Sequence, residues 1–72
     1  PISSDTVVMG EVGLTGEVRG INQIEKRLLE CSKLGFKTCI IPEDNRKGLK
    51  IPEGLKVIGV RQVEQALEIL LG

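Results

Sequence analysis

The stretch Leu28-Leu29-Glu30-Cys31-Ser32-Lys33-Leu34-Gly35-Phe36-Lys37-Thr38-Cys39-Ile40-Ile41-Pro42 changes its apolar period at Gly35, and that change decides the fold class. Before the glycine, Ile21, Ile24, Leu28, Cys31 and Leu34 recur at steps of three and four, the single apolar stripe of a helix packed on one side. Gly35 stands where helices commonly end in a left-handed residue. After it, Lys37-Thr38-Cys39-Ile40-Ile41 is β-rich and nearly continuous in apolar character until Pro42, which suits an inner strand covered on both faces. Helix, glycine and strand in that order are the second half of a βαβ unit. Asn22 is the expected N-cap, with Glu25 three residues on completing a capping-box-like pair. Glu25, Lys26, Glu30 and Lys33 fall on the outward face.

Upstream, Thr6-Val7-Val8-Met9-Gly10-Glu11-Val12 is rich in β-branched residues, and Val12, Leu14 and Val18 alternate with polar residues or glycine. This predicts one long strand bent into a hairpin at Thr15-Gly16. Downstream, residues 43–50 are polar and predict a loop or a single helical turn. Ile51-Pro52-Glu53-Gly54 is a turn by its proline and glycine. Leu55-Lys56-Val57-Ile58-Gly59-Val60 is a further strand, and a last helix runs from Val60 or Arg61 to Leu70 with Val63, Ala66, Leu67 and Leu70 on one face. The expected class is α/β with a partly parallel sheet, in the order β(hairpin)-α-β-β-α.

Composition narrows the chemistry. The 72 residues carry 10 Lys plus Arg against 10 Asp plus Glu, no His, no Trp, no Tyr and a single aromatic, Phe36. Without His there is no Ser-His-Asp triad and no His-bearing metal site. Two cysteines cannot fill a four-cysteine zinc site, so no metal ligands are expected here. One aromatic ring cannot build a base-stacking platform. Apolar runs of three or four residues fall far short of the roughly 20 needed to cross a bilayer, so no membrane partner is expected. Cys31 and Cys39 read as small buried hydrophobes kept reduced, which fits a cytoplasmic setting.

Few motifs carry chemistry. Gly10, Gly13, Gly16 and Gly20 are spaced every third or fourth residue, without the strand-to-helix context of a dinucleotide loop and without a Gly-Lys-Ser or Gly-Lys-Thr. They read as shaping a bent strand. Glu11, Glu17 and Glu25 are not required by spacing to converge as an acid–base pair. Ser3, Ser4 and Ser32 have no neighbouring base in sequence, leaving only a Ser–Lys dyad formally open. Residues 37–56 hold five basic and three acidic residues, a local excess on a neutral chain that can still contact phosphates.

The string Gly10-Glu11-Val12-Gly13-Leu14-Thr15-Gly16-Glu17-Val18-Arg19, followed by Gln23-Ile24-Glu25-Lys26-Arg27-Leu28, Leu34-Gly35-Phe36-Lys37 and Ile41-Pro42, closely resembles the C-terminal part of the RadA (Sms) family of bacterial DNA repair proteins. The same run is similar, more distantly, to the proteolytic domain of Lon proteases. The resemblance spans the chain from about Ser4 to Leu71. It implies a Lon-protease-like, ribosomal-protein-S5-domain-2-like α/β domain, of which residues 1–72 are the C-terminal portion and the first part is absent.

Lon proteases use a Ser–Lys dyad. Aligned on the Gly-Glu and Ile-Pro anchors, the dyad lysine falls on Glu25, and Asn22-Gln23 replaces the family's Gly-Gly. The resemblance therefore implies a non-catalytic scaffold that supports homo-oligomeric, hexameric ring assembly and duplex DNA contact during branch migration. ATP, Mg and Zn would be bound in other domains of the parent ATPase, and this segment holds no cofactor. The alternative is the C-terminal part of an active Lon-type Ser–Lys peptidase. Composition alone nominates Arg27, Lys33, Lys37, Arg46 and Lys47 as DNA-contacting residues.

Overall fold

A computed structural model describes residues 5–72; Ser3, Ser4 and the rest of the chain start lie outside the described residues. The elements are β1 (Thr6–Val8), β2 (Glu11–Val12), β3 (Val18–Arg19), α1 (Ile24–Lys33), β4 (Thr38–Pro42), a 3-10 turn (Glu43–Asn45), β5 (Lys56–Val60) and α2 (Val63–Leu71). The protein is thus mixed α/β with a parallel sheet. β4 is central, with β1 parallel on one side and β5 parallel on the other. Pairing runs Val7 to Cys39 to Val57 across the sheet, and Val8 to Ile40 to Ile58 in the next row.

Because successive strand side chains face opposite sides, β4 feeds two cores. Cys39 and Ile41 join Ile24, Leu28, Cys31 and Leu55 under α1. Ile40 joins Val60 and Ala66 under α2. Cys39, Ile40, Ile41 and Pro42 are all fully buried. Pro42, expected to end the strand, is its last paired residue, opposite Val60. A proline is tolerated there because the ladder needs nothing further from its nitrogen.

The long N-terminal strand is split. β1 stops at Val8, Met9 N–H still donates to Ile40 C=O at 2.9 Å, and the chain then turns away into the antiparallel β2–β3 hairpin. The hairpin is anchored to the sheet's far edge, where Val18 N–H donates to Arg61 C=O and Val63 N–H donates to Gly16 C=O, each at 2.8 Å. Helix α1 also begins differently from expectation. Its N-cap is Gln23, in the left-handed region at φ 57°, and no side chain caps the helix. Asn22 is not the cap, and the Glu25 carboxylate turns to Lys50 N–H instead, at 3.2 Å.

The C-terminal end follows the sequence. Gly35 takes φ 92°, and Phe36 N–H donates back to Cys31 C=O at 3.1 Å. Leu34, placed on the apolar stripe by its spacing, is 77% exposed because the helix has already ended at Lys33. On α2 only Ala66 is fully covered, while Val63, Leu67, Ile69 and Leu71 are exposed. No helix among the described residues is long and apolar enough to cross a membrane.

Leu28 is completely buried and Leu34 is not. Leu28→Ala is expected to cost about 2–5 kcal/mol, and Leu34→Ala to stay within about 0.5 kcal/mol, by denaturant unfolding. Burial, and secondarily the adjacent Cys31 thiol, push the Cys39 thiol well above its ordinary 9.0. The unfolded chain therefore releases this proton first. Stability is expected to hold below pH 9 and to fall as pH rises beyond it, and Cys39→Ala is expected to flatten that decline in thermal melts against pH.

Candidate nucleic-acid interface

The parallel strands sort the basic residues into two groups. At the C-terminal ends of the strands, Arg46 and Lys47 follow the 3-10 turn after β4, Arg61 follows β5, and Arg27 lies in the first turn of α1, which starts at this end. At the opposite end, Lys33 closes α1, and Lys37 leads into β4 beside Lys56, whose N–H donates to Lys37 C=O at 2.9 Å. All of these side chains are exposed. Five residues of strand separate the two ends by roughly 15 Å. That exceeds the screening length of about 8 Å at physiological salt, so the groups act as separate charges. The structure therefore brings Arg27, Arg46 and Lys47 to one end and leaves Lys33 and Lys37 at the other.

Two clefts open at the C-terminal end. One, of about 580 Å³, is lined by Val8, Met9, Gly10, Glu11, Gly20, Ile21, Asn22 and Arg27. The second, of about 510 Å³, is lined by Glu43, Asp44, Arg46, Lys47 and Arg61. In open parallel sheets ligands characteristically sit beyond the carboxyl ends of the strands. Arg61 was not singled out by sequence, because it sits alone in its stretch; only the position just after β5 marks it.

A side-chain latch fixes the two clefts to each other. Asn45 Nδ2 donates to Ile21 C=O at 2.9 Å, and Ile21 N–H donates to Asn45 Oδ1 at 2.8 Å. The 3-10 turn carrying Asn45 thereby holds the loop that enters α1. Arg27 Nε donates to Asn22 C=O at 3.4 Å. Arg46 pairs with Glu43 at 3.4 Å. Gly59 permits this pair, since a Cβ there would run into the Glu43 carboxylate and the Arg46 chain.

The acidic residues do not converge. Glu25 holds the loop before β5 through Lys50 N–H. Glu17 lies in the hairpin, accepting from the Thr15 hydroxyl and N–H and from Arg19 at 3.0 Å. The Thr15 hydroxyl first, then backbone N–H and Arg19, hold its carboxyl down to about 2. Among the described residues no cluster of three or more Cys, Asp or Glu is placed to hold a metal. Ser32 lies part-buried near the end of α1, a turn or more from either cleft.

The family model of the C-terminal proteolytic domain of Lon protease matches residues 1–72. The DNA repair protein RadA of Halalkalibacterium halodurans is 54% identical over 66 residues, 92% of this chain and 14% of that protein. That of Bacillus subtilis is 55% identical over 64 residues, 89% of this chain and 14% of its own length. That of Listeria monocytogenes is 44% identical over 68 residues, 94% and 15% respectively. The chain belongs to the Lon C-terminal domain family and, within it, to the RadA group of DNA repair proteins. It spans about one seventh of the length of these relatives.

Asn45→Ala removes both partners of the Ile21 backbone. It is expected to cost about 1–3 kcal/mol in unfolding free energy and to speed hydrogen exchange selectively at the Ile21 amide. Equal exchange at Ile21 in both proteins would remove the latch.

Proposed function

We propose that these residues are the C-terminal portion of a non-catalytic Lon-like scaffold domain in a RadA-type DNA repair and recombination ATPase. In this reading the domain supports assembly of a homo-oligomeric, hexameric ring and contacts duplex DNA during branch migration in the cytoplasm. Nucleotide, Mg and Zn chemistry belongs to other domains of the parent chain. The observation that carries the reading is the match to RadA proteins over about nine tenths of the chain. Support for the DNA contact comes from Arg27, Arg46 and Lys47, which share the open end of the sheet, with Lys33 and Lys37 as a separate pair.

The Lon family match keeps one rival in view, the C-terminal part of an active Ser–Lys peptidase. Glu25 weighs against it. The resemblance puts the dyad lysine at this residue, and a carboxylate offers no amine base. Its side chain is also engaged by Lys50 N–H. Lys26, one position along and about 100° around the helix, is exposed.

The full-length protein should bind duplex DNA at low salt in fluorescence anisotropy, and Arg46→Glu with Lys47→Glu should weaken that binding at least several-fold. It should leave casein uncleaved. Unchanged binding by the double variant would end the DNA-contact reading, and casein cleavage by the full-length protein would restore the peptidase.

A further inference from the structure

We infer that the cleft formed by Arg46, Lys47 and Arg61 is the domain's phosphodiester-contact site, and that the Glu43 carboxylate restrains it by occupying Arg46 in the unbound state. This rests on the DNA-contact reading above and assigns it to one surface.

Three cations from two chain segments line one open cleft at the strand ends, together with Glu43 and the exposed Asp44. Their backbones are fixed. Arg46 N–H donates to Glu43 C=O at 3.0 Å, closing the 3-10 turn, and Leu49 N–H donates to Arg46 C=O at 3.2 Å. Arg61 C=O receives Val18 N–H, and Arg61 N–H donates to the Gln65 side-chain oxygen at 2.7 Å. The side chains stay exposed on this rigid base, so a phosphate can be met without ordering the loop.

Glu43 is the internal competitor. Its Oε1 lies 3.4 Å from Arg46 Nη1, a distance and exposure typical of a weak pair that a phosphate can displace. The guanidinium prefers the bidentate geometry a phosphate offers. Lys47 and Arg61 form no ion pair among the described residues, so they meet the backbone first and Arg46 follows by exchanging partners. Lys33 and Lys37, at the far end of the strands, do not take part.

The test is a salt titration of full-length protein on a mixed-sequence DNA duplex. Arg61→Gln and Lys47→Gln should each weaken binding and lower the slope of log affinity against log salt by about one. Glu43→Gln should tighten binding by up to about fivefold at low salt, since it frees Arg46. Lys33→Gln with Lys37→Gln should leave the slope unchanged. A slope unaltered by Arg61→Gln and Lys47→Gln, but reduced by Lys33→Gln with Lys37→Gln, would overturn this assignment while DNA contact itself stood. Glu43→Gln binding no tighter than wild type would overturn the restraint. A wild type that does not bind the duplex would overturn both readings. Circular dichroism of each variant separates these results from unfolding.

Discussion

Burial of β4 on both faces is the constraint on which the other elements depend. Among the described residues β4 is the strand buried on both faces, flanked by β1 and β5 and covered by α1 on one side and α2 on the other. Cys39 and Ile41 need α1, and Ile40 needs α2. The parallel arrangement follows, because β1 and β5 can flank β4 only through connections that lay a helix or a long loop across a face. The two cores share no side chain, yet they share one backbone, so loosening either face loosens the strand that supports the other.

The same arrangement decides where charge can gather. Parallel strands present all their carboxyl ends on one side, and every turn that leaves this end starts within a few residues of its neighbours. Arg61 is distant in sequence from Arg46 and Lys47 but shares their cleft for that reason. Zero net charge is therefore compatible with a local cationic surface, while Lys33, Lys37 and Lys56 are carried to the opposite end.

Periodicity made the central part of the fold legible. The switch at Gly35 located α1 and β4, and the run ending in Val60 located β5. The errors have physical sources. Spacing placed Leu34 on the helix stripe but could not register that the helix stops one residue earlier. Asn22 has the better capping chemistry, but Asn45 captures the Ile21 backbone, and the helix enters through Gln23 instead. The long N-terminal strand breaks at Met9 and Gly10 because the hairpin finds partners in Arg61 and Val63, contacts about 45 residues away that no local pattern encodes. The candidate site was half legible. Arg46 and Lys47 stood out as a basic pair, whereas Arg61 needed the register of β5.

Gln23 carries the bend that leads into α1. A non-glycine residue in the left-handed region costs on the order of 1–2 kcal/mol, a strain that surrounding contacts must hold in place. Resemblance to Lon proteases puts a glycine at this residue, where the same backbone would be unstrained. Gln23 therefore holds a bend that glycine would take without strain. What retains it is visible: Asn45 grips Ile21 on one side of the bend, and Glu25 grips Lys50 on the other. In this arrangement Glu25 has a structural task, tying the first turn of α1 to the loop before β5. The Glu25 side chain holds the bend in shape, and a carboxylate is suited to that because it accepts a backbone N–H that an ammonium group would repel.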